Sequence, residues 1–501
     1  MSILENISAD HFGRWLYREI MQKRMISPLG IAALLLVSLA TGFLAANDLF
    51  FVPLAAAAAL IGIVLVYVCL FKPLAGFYVT SLFAVFVFYP NHLIGRDLLP
   101  LSPVWEILML FTFLGSFLHG SKQIGNSGRL LNTMVSIVLM GYTFYLIAQV
   151  FNPNVPNLDA WFPSVRRWLV FMLMYVTAYR LIDSPEKVRF FVRFWVLTAL
   201  MIAAYGCYQQ WFGLLPMEMN WIMSTPGSYE LLFQGGQIRK FSFLSDPATF
   251  GMQSGAMAVF TAVIAINTKD KKRKFLWLFF SIIMLLGMAY SGTRTSTIIP
   301  PIGIMIYGML TIQNKTTVIT IFISSLLGLF LFFAPIYSSP TLNRMRTTFD
   351  TKDESLNLRE RNRHYIQPYL YAHPIGGGMG TTNTLGAQLF PDHPLADFPT
   401  DSGLLRVGLE LGWIGLILWV IFNLAIMWQG ILYFFRIRNP EYRLYMVAIL
   451  SAIFPIIVCQ YSQESIGQFP GIIFIFSCLS IMKRMLEMDE EEQMKLKNIK
   501  E

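Results

Sequence analysis

Arg359-Glu-Arg-Asn-Arg-His-Tyr365, His373-Pro-Ile-Gly-Gly-Gly-Met-Gly380 and Asp401-Ser-Gly403 follow one another in a polar stretch that ends at Gly412-Trp-Ile-Gly415, the head of a long apolar run. The stretch is an island: on both sides of it the chain is a succession of apolar runs of roughly 17–25 residues, the length a helix needs to cross about 30 Å of hydrocarbon. It gathers arginines, histidines, a glycine turn and an acidic residue where a membrane surface is expected. Any chemistry the chain performs should lie near it.

Composition agrees. The 501 residues are 55% hydrophobic, 15% aromatic and only 13% charged, with mean hydropathy +0.56. A soluble domain carries about 25% charged residues, so the expected class is an all-α polytopic membrane protein. The net charge of +9 would suggest nucleic acid in a soluble chain. Here it reflects topology, because Lys and Arg gather in inner loops. The four cysteines, Cys69, Cys207, Cys459 and Cys478, fall inside apolar runs without metal-ligand spacing and read as buried free thiols.

Hydropathy predicts spans near 28–46, 50–71, 74–91, 102–119, 131–150, 168–183, 191–212, 249–266, 275–291, 296–312, 317–335, 412–433, 444–460 and 470–484, about 14 helices with both termini cytoplasmic. Residues 1–27 read as a cytoplasmic amphipathic lead: Phe12, Trp15, Leu16 and Ile20 alternate with Arg14 and Arg18, as in a helix lying in the headgroup layer. No cleavable signal peptide is expected, since the first apolar run starts near Pro28 and has spanning length. Residues 28–335 then hold eleven spans with an outer loop at 214–248. A large extracytoplasmic loop covers 336–411, three spans follow over 412–484, and 485–501 form a cytoplasmic tail. The Ser291-Gly-Thr-Arg-Thr-Ser296 segment either separates two spans or kinks one, and Pro300-Pro301 favours a break close by. Most outer Lys and Arg fall in the two long outer loops. Cations kept where topology disfavours them point to an anionic ligand.

Each candidate residue also has a bland reading. Arg239 and Lys240, just before a span, either serve an anion or snorkel to headgroups. Arg294 sits at the membrane edge, where an ionisable residue is a functional candidate by default. Arg359, Arg361 and Arg363 form a solvated face or a set of guanidinium forks for phosphate oxygens. Asp401 is a helix N-cap or a proton acceptor. Arg166 and Arg167 precede a span from the outer side and can add phosphate contacts. Glu106 is a candidate structural partner for an arginine, and Glu464 is a further interfacial carboxylate. Gly376, Gly377, Gly378 and Gly380 are not a nucleotide loop, since no Gly-Lys-Ser/Thr follows. They read as a flexible loop hinge. His364, His373 and His393 match no zinc spacing, so neither a metal nor a cofactor is expected.

Taken in order, these motifs resemble the O-antigen ligase/polymerase superfamily of bacterial membrane glycosyltransferases, which have a GT-C-like arrangement of helices around a late outer loop. That loop carries an Arg-bearing helix, a Pro-x-x-Gly-x-Gly turn, and His followed by Asn, Ser or Gln, then nine residues and Gly-x-x-Gly. Here Arg359 stands fifteen residues before Pro374, and nine residues separate Asp401-Ser402 from Gly412. Ser291-Gly-Thr-Arg294 looks like the family's Ser-Gly-Ser-Arg, and Arg239 with Ser245-Asp-Pro-Ala-Thr-Phe250 looks like its Arg-bearing span entry. The likeness covers roughly 235–430 in detail.

The resemblance implies transfer of a glycan from undecaprenyl diphosphate to an acceptor hydroxyl at the outer leaflet of the bacterial inner membrane, in O-antigen, capsule or exopolysaccharide biosynthesis. Arg239, Arg294 and Asp401 would be catalytic; Arg359, Arg361, Arg363, Lys240, Arg166 and Arg167 would bind substrate. Partners would be the lipid-linked donor, a glycan acceptor, the bilayer, and a flippase with a chain-length regulator; nucleic acid would not be one. Asp401 stands where the family's ligases have His, which tilts the expectation from a ligase acting on lipid A core or protein toward a polymerase. A lipid-linked oligosaccharide flippase or other transporter is the alternative of another class. Such proteins place charge near the midplane and often show repeated halves, and no such symmetry is visible.

Overall fold

The computed structural model describes residues 51–94, 101–118, 127–225, 227–234, 236–333, 340–346, 354–400 and 402–498, with Ser27, Pro28, Ile31 and Ser38. The expected amphipathic lead and most of the first expected span lie outside these residues. The described chain is an all-α membrane bundle, and its strands are confined to the pair Phe233–Gln234 and Gln237–Ile238, antiparallel with Phe233 opposite Ile238.

Eight helices among the described residues are long and apolar enough to cross a bilayer: Pro73–Ile94, Leu101–Leu118, Met134–Phe151, Pro185–Phe212, Pro247–Asn267, Lys271–Tyr290, Gly403–Arg436 and Pro440–Cys459. That is fewer than the expected 14, for identifiable reasons. Helix Trp161–Leu181 stands at an expected span but carries Arg166, Arg167 and Arg180. Helix Gly471–Asn498 turns charged from Lys483 onward. Helices Ile299–Thr311 and Lys315–Phe333 stand over two more, of which Thr295–Thr311 and Lys315–Phe330 are apolar but short.

Local chemistry sets the helix starts. Asp246 caps Pro247–Asn267, Ser184 caps Pro185–Phe212 and Asn439 caps Pro440–Cys459, each accepting from a first-turn N–H with proline next in line. The side chain satisfies an orphan donor, and proline costs nothing where no intrahelical bond is due.

Pro247–Asn267 is the axis of the bundle, 89% buried over its most apolar window. Small residues let neighbours close on it. A Cβ on Gly251 would stand 2.3 Å from Ser291 Oγ, and one on Gly303 would stand 2.6 Å from Val259 Cγ1. The axial helix thereby touches both arms of the segment broken at Ser291, and Pro440–Cys459 packs alongside. Burying this many apolar side chains is how the bundle holds a fixed geometry at its ends.

Candidate functional site

The site begins with the break after Tyr290. Helix Lys271–Tyr290 ends there, Gly292 takes the left-handed φ of 59°, Thr295–Ile298 form a 3-10 turn, and Ile299–Thr311 restarts with proline in its first turn. Of the two readings open from sequence, two separate helices is the observed one. The turn is sealed by Ser291 Oγ, which donates to Met288 O at 2.7 Å and accepts from Thr293 N at 3.2 Å.

Arg239 lies across this turn. Its Nε donates to Ser291 O at 3.1 Å and its Nη2 to Thr293 Oγ1 at 2.7 Å. A Cβ at Gly292 would meet Arg239 Cγ at 3.2 Å, so the glycine serves both the turn and the close approach. The backbone is fixed as well, with Arg239 N on Leu232 O at 2.9 Å and Lys240 N on Tyr290 O at 3.2 Å.

Burial, then Arg344 and Arg294, push the Arg239 guanidinium down to about 10, against the pull of Asp246. Asp246 is spent on its cap, accepting from Ala248 N, Thr249 N, Thr249 Oγ1 and Ser245 Oγ. Arg344 and Arg294 thus both repel Arg239, while Asp246, which attracts it, also accepts the bonds of its own helix cap. An anion with several oxygens placed among them would relieve that repulsion with charge-assisted bonds. Lys240 is buried, which lowers its ammonium pKa, while Glu218 raises it. Arg344 went unassigned from sequence. It is carried by the short helix Pro340–Arg346, and its Nη2 donates to Gln234 Oε1 at 2.6 Å.

The glycine turn is built into the start of a span. The helix expected from residue 412 begins at Gly403 and is broken at Gly412, whose φ of 68° and ψ of −168° suit only glycine. The break strips partners from three carbonyls, and the surroundings replace them. Gly377 N donates to Leu409 O and Gly378 N to Glu410 O, both at 2.8 Å, while Tyr145 Oη donates to Leu411 O at 2.6 Å. In return Trp413 N donates to Pro374 O at 2.9 Å. Asn154 Nδ2 holds Gly376 O at 2.8 Å and Gln149 Nε2 holds Ile375 O at 3.1 Å. Gly376, Gly377, Gly378 and Gly380 are buried, so the turn expected to flex is a packed, hydrogen-bonded junction.

Loop 459–466 ties the two parts together. Thr295 Oγ1 meets Ser462 Oγ at 3.0 Å on one side. On the other, Ser402 Oγ reaches Gln460 O at 3.1 Å, and Arg363 Nη2 donates to Tyr461 O at 2.7 Å with its guanidinium 4.2 Å from the Tyr461 ring centroid. Arg406 bridges Glu410, at 3.1 Å from Nε, and Glu464, at 2.7 Å from Nη1. Thr382 Oγ1 adds a short bond to Glu410 Oε1.

The structure therefore brings Arg239, Lys240 and Arg294 to one turn, and Arg363 to a loop that touches that turn. Arg361 is exposed on the same helix as Arg363. The side chain of Arg359 lies outside what is described, as does Asp401. The cap of helix Gly403–Arg436 is Ser402, which accepts from Leu405 N at 3.3 Å. Arg166 and Arg167 both face buried Glu106, at 2.6 and 3.8 Å. Glu106 is thus the structural partner expected, and the pair is engaged there rather than at the arginine turn by any contact shown. The Arg406–Glu410–Glu464 network was missed from sequence apart from Glu464. The i,i+4 spacing of Arg406 and Glu410 was its available signal.

Comparison with known proteins bears on the sequence that carries this site. No curated protein matches the chain. Residues 279–420 match a family described as O-antigen ligase, a segment that runs from the helix before Ser291 through Arg294 and the polar stretch after it to the broken helix at Gly412. The match over this segment supports membership of the O-antigen ligase/polymerase superfamily.

Proposed function

We propose that the chain moves a glycan from undecaprenyl diphosphate to a hydroxyl of a second glycan at the outer leaflet of the bacterial inner membrane, acting as a polymerase in cell-surface polysaccharide synthesis. Family membership supports ligase- or polymerase-like glycosyl transfer in general. The observation that carries the finer reading is Arg239, held rigidly against Ser291 and Thr293 with Arg294 and Arg344 within electrostatic reach.

In the reaction the bond between the sugar's anomeric carbon and the diphosphate oxygen breaks, and a bond from the acceptor oxygen to that carbon forms. Negative charge grows on the departing diphosphate. Preorganised guanidinium groups in a water-poor setting stabilise that charge without reorganising. The acceptor's proton passes to a base, a role we give to Asp401, beside the Ser402 cap. Energy comes from the lipid diphosphate, so the reaction requires no nucleotide.

The test is purified chain in lipid vesicles with a polyprenyl-diphosphate-linked glycan. Wild type should lengthen or transfer the glycan, while Arg239→Ala and Arg294→Ala should insert normally and form no product. Full turnover in either variant, or translocation of the donor without a new glycosidic bond, defeats the assignment.

A further inference from the structure

The helices that frame the arginine turn also frame a cavity at their other ends. Pro247–Asn267 starts beside Thr293 and reaches the cavity at Asn267, about 31 Å away at about 1.5 Å per residue. Pro440–Cys459 runs the opposite way, with Cys459 Sγ on Thr295 O at 3.6 Å and Pro440 in the cavity wall. The volume is about 1380 Å³.

Its lining divides by chemistry. Leu276, Trp277, Met309 and Phe435 supply apolar wall, and Leu276, Met309 and Phe435 are exposed. Arg189, Arg193, Lys269, Arg273 and Arg443 line it too, against Glu441 as the one carboxylate among the lining residues. Arg189 is committed to Glu441 through two bonds of 2.7 Å. Arg443 lies 4.6 Å from the centroid of Phe434. The remaining charge is strongly positive and sits beside an apolar trough.

We propose that this cavity holds one anionic bilayer phospholipid, its phosphate at Arg193, Lys269 and Arg443 and its acyl chains along Trp277, Met309 and Phe435. A zwitterionic lipid would bring a choline cation against these cations along with its phosphate, and a small soluble anion would leave the apolar wall wet. Basic pockets between membrane helices recognise acidic headgroups for this reason. The site lies in the leaflet opposite the arginine turn and is independent of the transfer reaction.

The experiment uses the full chain in detergent, stripped of lipid and offered phosphatidylglycerol or phosphatidylcholine with matched acyl chains, with bound lipid read by native mass spectrometry. Phosphatidylglycerol should be retained about tenfold or more over phosphatidylcholine. Arg193→Gln/Arg443→Gln should lower its retention to the phosphatidylcholine level. Met309→Trp, which fills the trough with every cation intact, should lower retention of both lipids. An excess of inorganic phosphate should not displace the lipid. Equal retention of the two lipids, unchanged retention in the double variant, or displacement by phosphate alone overturns the proposal. Should the double variant fail to fold, Met309→Trp and the single Arg443→Gln decide in the same way.

Discussion

Arg239 Nη2 lies 2.7 Å from Thr293 Oγ1, and that hydroxyl donates its own proton to Pro247 O at 3.0 Å. A hydroxyl has one proton to give, so spending it on Pro247 leaves only lone pairs facing the guanidinium. Arg239 is thereby oriented from the axial helix.

Thr293→Val keeps the shape and removes the acceptor. A hydrogen bond to a charged group contributes about 1.5–3 kcal/mol, so kcat/KM should fall roughly tenfold to hundredfold. The melting temperature should move little. Steady-state transfer assays alongside thermal unfolding separate the two effects. Undiminished kcat/KM would mean that the turn does not position Arg239.

Anion binding should depend on alkaline pH. The folded Arg239 guanidinium loses its proton near pH 10, below its ordinary 12.5. Diphosphate affinity should therefore drop as pH rises through about 10. Because the folded pKa is lowered, the charged form costs stability below pH 10, and that cost is relieved between pH 10 and 12.5. Arg344→Gln removes one repelling neighbour and should move the drop in affinity to higher pH. Calorimetric titration with diphosphate across that range reads both effects.

Gly412→Ala should be severe. An added Cβ would stand 2.1 Å from Pro374 O at a φ of 68°. A backbone conformation open only to glycine, with a steric clash on top, should cost about 2–4 kcal/mol. Thermal unfolding in detergent would show it, and an unchanged melting temperature would rule out the junction as described.

Ser402 and Asp401 should separate by phenotype. Ser402→Ala removes the observed cap and should cost about 1 kcal/mol while sparing turnover. Asp401→Asn should abolish turnover and leave the melting temperature alone. If Asp401→Asn turns over normally, the proton acceptor is another group.

The fold's class was legible because lipid imposes one pattern on sequence: apolar runs of spanning length, bounded by caps and prolines such as Asp246-Pro247 and Asn439-Pro440. The break at Ser291 was half legible, through Gly292 and Pro300-Pro301. Two features were hidden. Helix Gly403–Arg436 starts nine residues before its expected span, because Gly412 interrupts it and Arg406 and Glu410 break the apolar run ahead of it. Arg344 and the Arg406–Glu410–Glu464 network depend on which distant segments meet, and periodicity carries no information about that. Asp401, which precedes a helix, could be read as a cap or as a proton acceptor, and it lies outside the described residues. Its neighbour Ser402 caps the helix by accepting from Leu405 N.

Because Leu409 and Glu410 hand their carbonyls to Gly377 and Gly378, the glycine turn and the helix that follows share one hydrogen-bond ladder. Excising residues 373–380 would not trim an appendage. It would bare peptide groups at the mouth of a transmembrane segment, where hydrocarbon offers no substitute, and the damage would spread into the membrane.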